Sequence, residues 1–554
     1  MQRDRHYDLI LIGSGMGALT VASLMAQLRG WRVLLLERHF TLGGFTHSFQ
    51  RGRFHWDVGV HYVGQMQAGT MPRQLFDLIT DGGVEWQRMP EPFEKFVYPG
   101  LEFAVYGDPD RYQADLIARF PDEAAAIRRY CRDLPKATSA LFLQRLRVNA
   151  AWPVQLFTHL GQFWSGFDLK LTTQAYLDRH FRSPELKALL VSQWGDYGLP
   201  PAESPFAVHA TIALHYLGGG YYPVGGAGTI AASVQPIVEH HGGAVLLNRE
   251  VTEILLDHGR AAGVRVQTTH HPEAPAEEYF APCVVSDAGV TNTYLKLVPA
   301  AVTIPFREDL RAYVGDRAAT TNLALYIGFN TDPRQLGFQG GNHWLYTHLD
   351  HNAAYAQRGD WLESGEPPQL YLSFPSLKDP AASAHTAEVL AFTDYASFAQ
   401  WRDRGWRQRG EDYEALKEQL KARLIATVER HYPGFAAAIA YAELSTPLTN
   451  EYLTAHPQGA IYGLPLASDR FQPEQAAWTR VKSPLPGLYL TGADVYMGGI
   501  MSALMSGLLT ISQLPGGVAL PQSFAAAARR AKQGAAATAE RRQAAGVAEA
   551  QALR

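Results

Sequence analysis

Asp8-Leu9-Ile10-Leu11-Ile12-Gly13-Ser14-Gly15-Met16-Gly17-Ala18 decides the fold. The apolar run predicts a buried strand, the glycines a tight turn, and the apolar pattern through Leu28 a helix. A second buried strand, Arg32 to Leu36, ends in Glu37, 24 residues after Gly13. Together they make one βαβ unit carrying the GxGxxA form of the dinucleotide fingerprint, with Ala18 in the third small-residue position. Gly13 is expected to make the tight turn and Gly15 to let the backbone approach a pyrophosphate. The amino end of the helix then faces that anion with free N–H groups and the positive end of its dipole. Glu37 is placed to accept from the adenosine ribose hydroxyls, and its charge disfavours a 2′-phosphate there.

Six residues beyond Glu37 comes Gly43-Gly44, a doublet that lets the chain turn closely beside a dinucleotide. A second GxGxxA match, Gly226-Ala227-Gly228-Thr229-Ile230-Ala231, leads into a helix-like segment to His240 and an expected strand over Ala244 to Val251, and with Glu250 at the same spacing it invites a second dinucleotide site, for a nicotinamide donor. The residues before it, Tyr221-Tyr222-Pro223, do not read as a buried strand, because Pro223 cannot donate to a central ladder. One dinucleotide site is therefore expected.

With 554 residues, 47% hydrophobic and 18% charged, the chain exceeds what one core usually serves. Residues 1–72, 218–289 and 481–513 read as a discontinuous α/β dinucleotide domain of Rossmann type. Residues 73–217 and 290–480 read as a second, α+β domain whose aromatics line an apolar tunnel. The Ala- and Arg-rich residues 514–554 read as a flexible tail, frayed helix or disordered. A net charge of −4 without a basic block argues against nucleic acid. Two isolated cysteines, Cys131 and Cys283, exclude a disulfide framework and a thiolate metal site, and suit a reducing compartment. His209 and His215 lie six apart on a predicted helix, off a common face, so no metal is expected. No signal-peptide pattern and no run of about 18 apolar residues is present, so a cytoplasmic protein with at most peripheral membrane contact is expected. The stretch Leu141 to Phe167 is the candidate for that contact, with Arg145, Arg147 and Lys170 near headgroups.

Fingerprint, acidic strand end and glycine doublet together resemble the amino terminus of FAD oxidoreductases related to amine oxidases and phytoene desaturases. The turn Thr491-Gly492-Ala493-Asp494 resembles the carboxyl-terminal FAD motif of that group. Longer stretches narrow the likeness. Phe54-His55-Trp56-Asp57-Val58-Gly59-Val60-His61-Tyr62-Val63-Gly64, Gly195 to Pro201, His215 to Gly226 and Thr446 to Gly463 resemble the retinol saturases and carotenoid isomerases. This resemblance implies FAD held by Gly13, Gly15, Gly17, Ala18, Glu37, Arg38, Gly43, Gly44, Phe45, Thr46, Val251, Gly492, Asp494 and Met501. It also implies an apolar conjugated polyene as substrate and an unidentified reductant. His61 and Tyr62 are the candidates for flavin-facing chemistry, since saturation needs an acid to protonate one alkene carbon while hydride reaches the other. Saturation, isomerisation by reduced flavin and desaturation all stay open, with saturation favoured. A different class, a flavin-free prenyl-protein escort, has no reason to keep Gly13, Gly15, Glu37, Gly43, Gly44 and Asp494 together.

Overall fold

The computed structural model describes residues 5–149, 167–269, 271 and 273–534. The apolar run at the start becomes the strand Leu9–Ile12, buried along its whole length. Burial on both faces is what a central parallel strand requires, because helices must cover it above and below. Its sheet has five parallel strands in the order Ala244–Leu246, Val33–Leu36, Leu9–Ile12, Val284–Ser286, Leu488–Leu490. The helices Met16–Arg29, Gly228–His240 and Ile500–Gln513 pack together against it. Gly17 sits where two of these segments nearly touch: a Cβ there would lie 2.5 Å from the Gly492 backbone nitrogen.

A separate seven-stranded sheet runs Ile439–Ser445, Thr321–Phe329, Thr386–Thr393, Gln369–Ser373, Asn342–Tyr346, Glu94–Tyr98, Leu101–Val105. It is antiparallel apart from the pairing of Asn342–Tyr346 with Glu94–Tyr98. The alternation along Thr321–Phe329 explains its two faces. Leu323, Leu325 and Ile327 point into a core with Leu420, Leu424 and Val428 of the helix Glu411–His431, whereas Asn322, Ala324 and Tyr326 face a large cavity. That cavity spans the space between the two sheets. Among the described residues no helix is long and apolar enough to cross a membrane.

Four expectations need correcting. Tyr221-Tyr222-Pro223 does lie in a buried strand, Gly220–Pro223, between Val63–Gly64 and Trp86–Arg88. It is antiparallel, and Pro223 occupies its last position, so the missing N–H falls where pairing ends and Val224 N resumes it by donating to Glu85 O. The strand expected over Ala244 to Val251 is two, Ala244–Leu246 and Arg249–Asp257, because Asn248 turns the chain with φ +53°. Residues 520–534, expected in a frayed helical or disordered tail, form a helix that is packed on the rest of the chain. Ala527 and Ser523 are fully buried and Arg530 pairs with Asp81 at 2.9 Å, small side chains allowing the close approach that large apolar ones supply elsewhere. Arg145, expected near lipid headgroups, is fully buried on the helix Ala124–Asn149. It donates to Thr479 Oγ1 and lies 4.6 Å from the Phe471 ring centroid. Residues 150–166 of the expected membrane-facing stretch lie outside the described residues.

Candidate functional site

The cavity measures about 720 Å³, within the range of small-molecule sites. Gly13, Ser14, Gly15, Glu37, Arg38, Gly43, Gly44, Phe45 and Thr46 line one half, joined by Val251, Gly492, Asp494 and Met501 from later segments. Gly17 and Ala18 do not line it. They lie behind, Gly17 in the close approach described above and Ala18 with its N–H donating to Asp287 Oδ2.

Glu37 organises this half. Its carboxylate accepts from Ser14 N at 3.1 Å, Ser14 Oγ at 2.6 Å and His39 N at 2.7 Å, and Gly43 N in turn donates to Ser14 Oγ at 2.9 Å. One acid thereby ties the first glycine loop to the doublet, where Gly43 takes φ +120°, a conformation open to glycine. Burial pushes the Glu37 carboxyl up, against the pull of its Ser14 and His39 hydrogen bonds. A carboxylate has about four acceptor sites, so one is left for a ligand hydroxyl.

Asp494 does not cap the helix that follows it, which begins at Ile500 after Gly499. Its two oxygens accept from Leu464 N (2.8 Å) and Val290 N (2.9 Å), stapling three distant segments at the cavity wall. Asp287, which sequence reasoning did not single out, lies at the amino end of the helix Met16–Arg29. Burial pushes its carboxyl up to about 7, with the Glu37 and Asp494 charges adding to the effect and the Ala18 N–H opposing it. Asn292 Oδ1 is buried in the same wall without a hydrogen bond among the described residues. A spared acceptor on Glu37, backbone loops at a helix amino end and an unsatisfied amide oxygen suit a dinucleotide rich in hydroxyl and N–H groups.

The other half of the cavity is aromatic and aliphatic, with Val60, Phe142, Ile212, Leu214, Tyr371 and Phe392 on its walls. His61 and Tyr62 both reach it. His61 Nδ1 lies 2.6 Å from Oε2 of the fully buried Glu388. The Tyr62 hydroxyl donates to Asp196 Oδ2 at 2.7 Å, and its ring stacks on Tyr216 at 4.1 Å. Burial, then Asp196 and Glu94, push the Tyr62 phenol well above its ordinary range. Lys378, buried, donates to His61 O (2.9 Å), Asn342 Oδ1 (2.5 Å) and Ser373 Oγ (2.7 Å), and burial pushes its ammonium down to about 7. Glu94, Asp196, Lys378 and Glu388 were invisible as a group, because they come from four segments and only folding assembles them.

The second GxGxxA match is spent internally. Ala227 N donates to Asp57 Oδ1 and Gly228 N to Ser48 Oγ, each at 2.8 Å, so the helix amino end is already satisfied. Glu250 lines the first cavity instead and pairs with Arg38 at 3.4 Å. His209 is a satisfied core residue between the Tyr130 and Tyr197 hydroxyls, and His215 Nε2 accepts from Gly64 N. Among the described residues no cluster of His, Cys, Asp or Glu could hold a metal.

Comparison with known proteins matches residues 19–510 to the family of flavin containing amine oxidoreductases. The chain is 32% identical over 529 residues to the all-trans-retinol 13,14-reductase of Rattus norvegicus, covering 92% of this chain and 85% of that protein. It is 26% identical to the chloroplastic prolycopene isomerase of Arabidopsis thaliana, covering 93% of this chain and 83% of that protein. Among solved structures, cyclohexylamine oxidase from Brevibacterium oxydans superposes with a TM-score of 0.58 at 14% identity, over 95% of this chain and 99% of that one. That likeness speaks for the fold alone.

Proposed function

The chain belongs to the flavin-containing amine oxidoreductase family, and from that premise we propose that it is an FAD enzyme saturating a carbon–carbon double bond of a conjugated polyene lipid. The observation that carries the proposal is the cavity's two-part wall, a dinucleotide cradle that opens without a break into an aromatic, apolar half. Similarity to a retinol reductase along nearly the whole chain agrees with it.

In this reading the loop Gly13 to Gly15 takes the pyrophosphate, Glu37 the ribose and Val251 the adenine side. Arg38, Gly43, Gly44, Phe45, Thr46, Gly492, Asp494 and Met501 enclose the rest of FAD, while Gly17 and Ala18 serve it indirectly by packing the loop. Reduced FAD, when bound, supplies the hydride that one alkene carbon accepts. The protein supplies what remains. The walls around Phe142, Leu214 and Phe392 hold an apolar chain and exclude water, and the pair His61 and Tyr62 orders the polar groups beside it.

The test is anaerobic incubation of the FAD-loaded, reduced protein with all-trans-retinol, followed by mass analysis of the polyene. A product heavier by two hydrogens supports saturation. Unchanged mass with altered geometry supports the second reading, flavin-assisted isomerisation, which the likeness to a prolycopene isomerase favours. Unchanged polyene removes both.

A further inference from the structure

A cluster of buried acids stands where the aromatic half of the cavity meets Tyr62. Asp196 ends the short turn Trp194–Asp196 and contributes to the cavity wall. Tyr62 holds its Oδ2, and no other hydrogen bond to that carboxyl occurs among the described residues. Behind it Glu94 is completely buried. Gln193 Nε2 donates to Glu94 Oε2 at 2.6 Å and lies 3.5 Å from the Tyr62 hydroxyl, and Trp344 Nε1 donates to Glu94 Oε1 at 3.2 Å. Tyr62 and Gln193 thus stand between two carboxyls, of which Asp196 lines the cavity and Glu94 does not.

Two carboxylates this close in an apolar surrounding cannot both be charged at low cost. Burial, with Asp196 adding to it, pushes Glu94 up, and burial likewise raises Asp196. The pair keeps a proton near neutrality. Tyr62, by contrast, is made a weaker acid by the same neighbours.

Resting on the saturation reading, we propose that Asp196 is the proton donor of this reaction, with Glu94 as the buried carboxyl whose negative charge keeps Asp196 protonated and Tyr62 as the residue that positions it. The atoms balance as follows. One alkene carbon receives hydride, with its electron pair, from reduced flavin. The neighbouring carbon takes the proton as the Asp196 O–H bond breaks and a C–H bond forms. The carboxylate left behind regains its proton from solvent by way of the cavity that it lines. Tyr62 is then a positioning residue.

Other ionisable groups surround the cluster. Tyr216, Tyr371 and Tyr462 face Asp196, and burial pushes each phenol up, so they stay neutral. Tyr197 and Tyr346 behave alike. His61 and Lys378 are the nearby groups able to carry positive charge, Lys378 lying 6.0 Å from the Tyr62 ring centroid.

The test uses FAD-loaded protein, photoreduced without oxygen, and all-trans-retinol as probe. Asp196→Asn should bind retinol yet slow flavin reoxidation by about 10²–10⁴-fold, the usual worth of general-acid assistance, with partial rescue by Asp196→Glu. The wild-type rate should fall as pH rises and the donor ionises. Glu94→Gln should move that limb to lower pH, since a negative neighbour no longer holds the Asp196 proton, an effect that a purely structural role does not produce. Infrared spectra of the oxidised, retinol-free protein at neutral pH should show a protonated-carboxyl band that Asp196→Asn and Glu94→Gln each diminish. Parent-rate reoxidation in Asp196→Asn overturns the proposal, as does a band that neither variant alters. A limb moved by Lys378→Met and unmoved by Glu94→Gln also overturns it, by assigning the titration to the ammonium. Should Asp196→Asn fail to fold, the Glu94→Gln shift and its band decide alone. If the wild-type protein leaves retinol unsaturated, the reading of the site falls and takes this inference with it, whereas a defect confined to the variants cannot be mistaken for that result.

Discussion

Replacing Glu37 by Gln removes one charge and almost no volume, so it isolates what the carboxylate does. Three protein donors converge on it, Ser14 N, Ser14 Oγ and His39 N. An amide has one oxygen. If that oxygen faces Ser14, the NH₂ group confronts the His39 N–H donor to donor; reversed, it confronts Ser14. Either way at least one charge-assisted hydrogen bond is lost, worth about 1.5–3 kcal/mol. Part of the loss is offset because the buried carboxylate carries a desolvation cost that the amide does not. That protein bond is lost with and without FAD and so falls on stability, whereas the ribose loses a charge-assisted acceptor of the same order, about 1.5–3 kcal/mol, which falls on binding. At about 1.4 kcal/mol per tenfold, FAD binding should weaken by roughly 10- to 150-fold. Glu37→Arg, which reverses the charge, should bind less still. The assay is titration of flavin-stripped protein with FAD, followed by quenching of flavin fluorescence, with thermal melts to confirm folding. An unaltered Kd in a folded Glu37→Gln protein refutes the assignment of Glu37 to the ribose.

Gly17→Ala places a methyl 2.5 Å from the Gly492 nitrogen, against backbone that cannot yield, and should destabilise by at least the roughly 1–3 kcal/mol typical of overpacking; an unchanged melting temperature contradicts the close approach. Asp287, with its carboxyl raised to about 7, is neutral below that pH and negative above it, so FAD affinity should fall as pH rises through 7 and Asp287→Asn should flatten the dependence in the same titration. The sign for the apoprotein is the same: a carboxyl raised by folding stabilises below its unfolded pKa and loses that contribution as pH climbs through the folded one, so melts of Asp287→Asn should vary less over this window. Arg145→Met, replacing a buried cation with an apolar side chain of similar length, should leave stability unchanged or raised by up to about 4 kcal/mol, and a large loss in denaturant melts contradicts this.

The dinucleotide half of the molecule was readable because its signals are local. The strand Leu9–Ile12, the helix from Met16 and Glu37 obey short-range rules of burial, turn geometry and helix electrostatics, and they appear within a few residues of where those rules put them. His61 and Tyr62 could be picked out from their motif, but not their partners. Asp196 lies 134 positions from Tyr62 and Glu388 lies 327 from His61, and no periodicity announces such pairings. Pro223 misled for a related reason, since a rule about central ladders says nothing about the last residue of an antiparallel strand. The packing of the helix at 520–534 was missed because composition measures how much apolar surface a segment owns, and not how closely alanines let it approach a surface made by others.

The central claim is that flavin electrons end in the polyene. FAD-loaded protein, photoreduced without oxygen, is mixed with excess all-trans-retinol while the flavin and polyene absorbances are followed together. The account predicts that the flavin reoxidises in step with bleaching of the polyene, one double bond saturated per flavin, and then stops for want of a donor. Accumulation of many equivalents of a geometric isomer while the flavin stays reduced would contradict it.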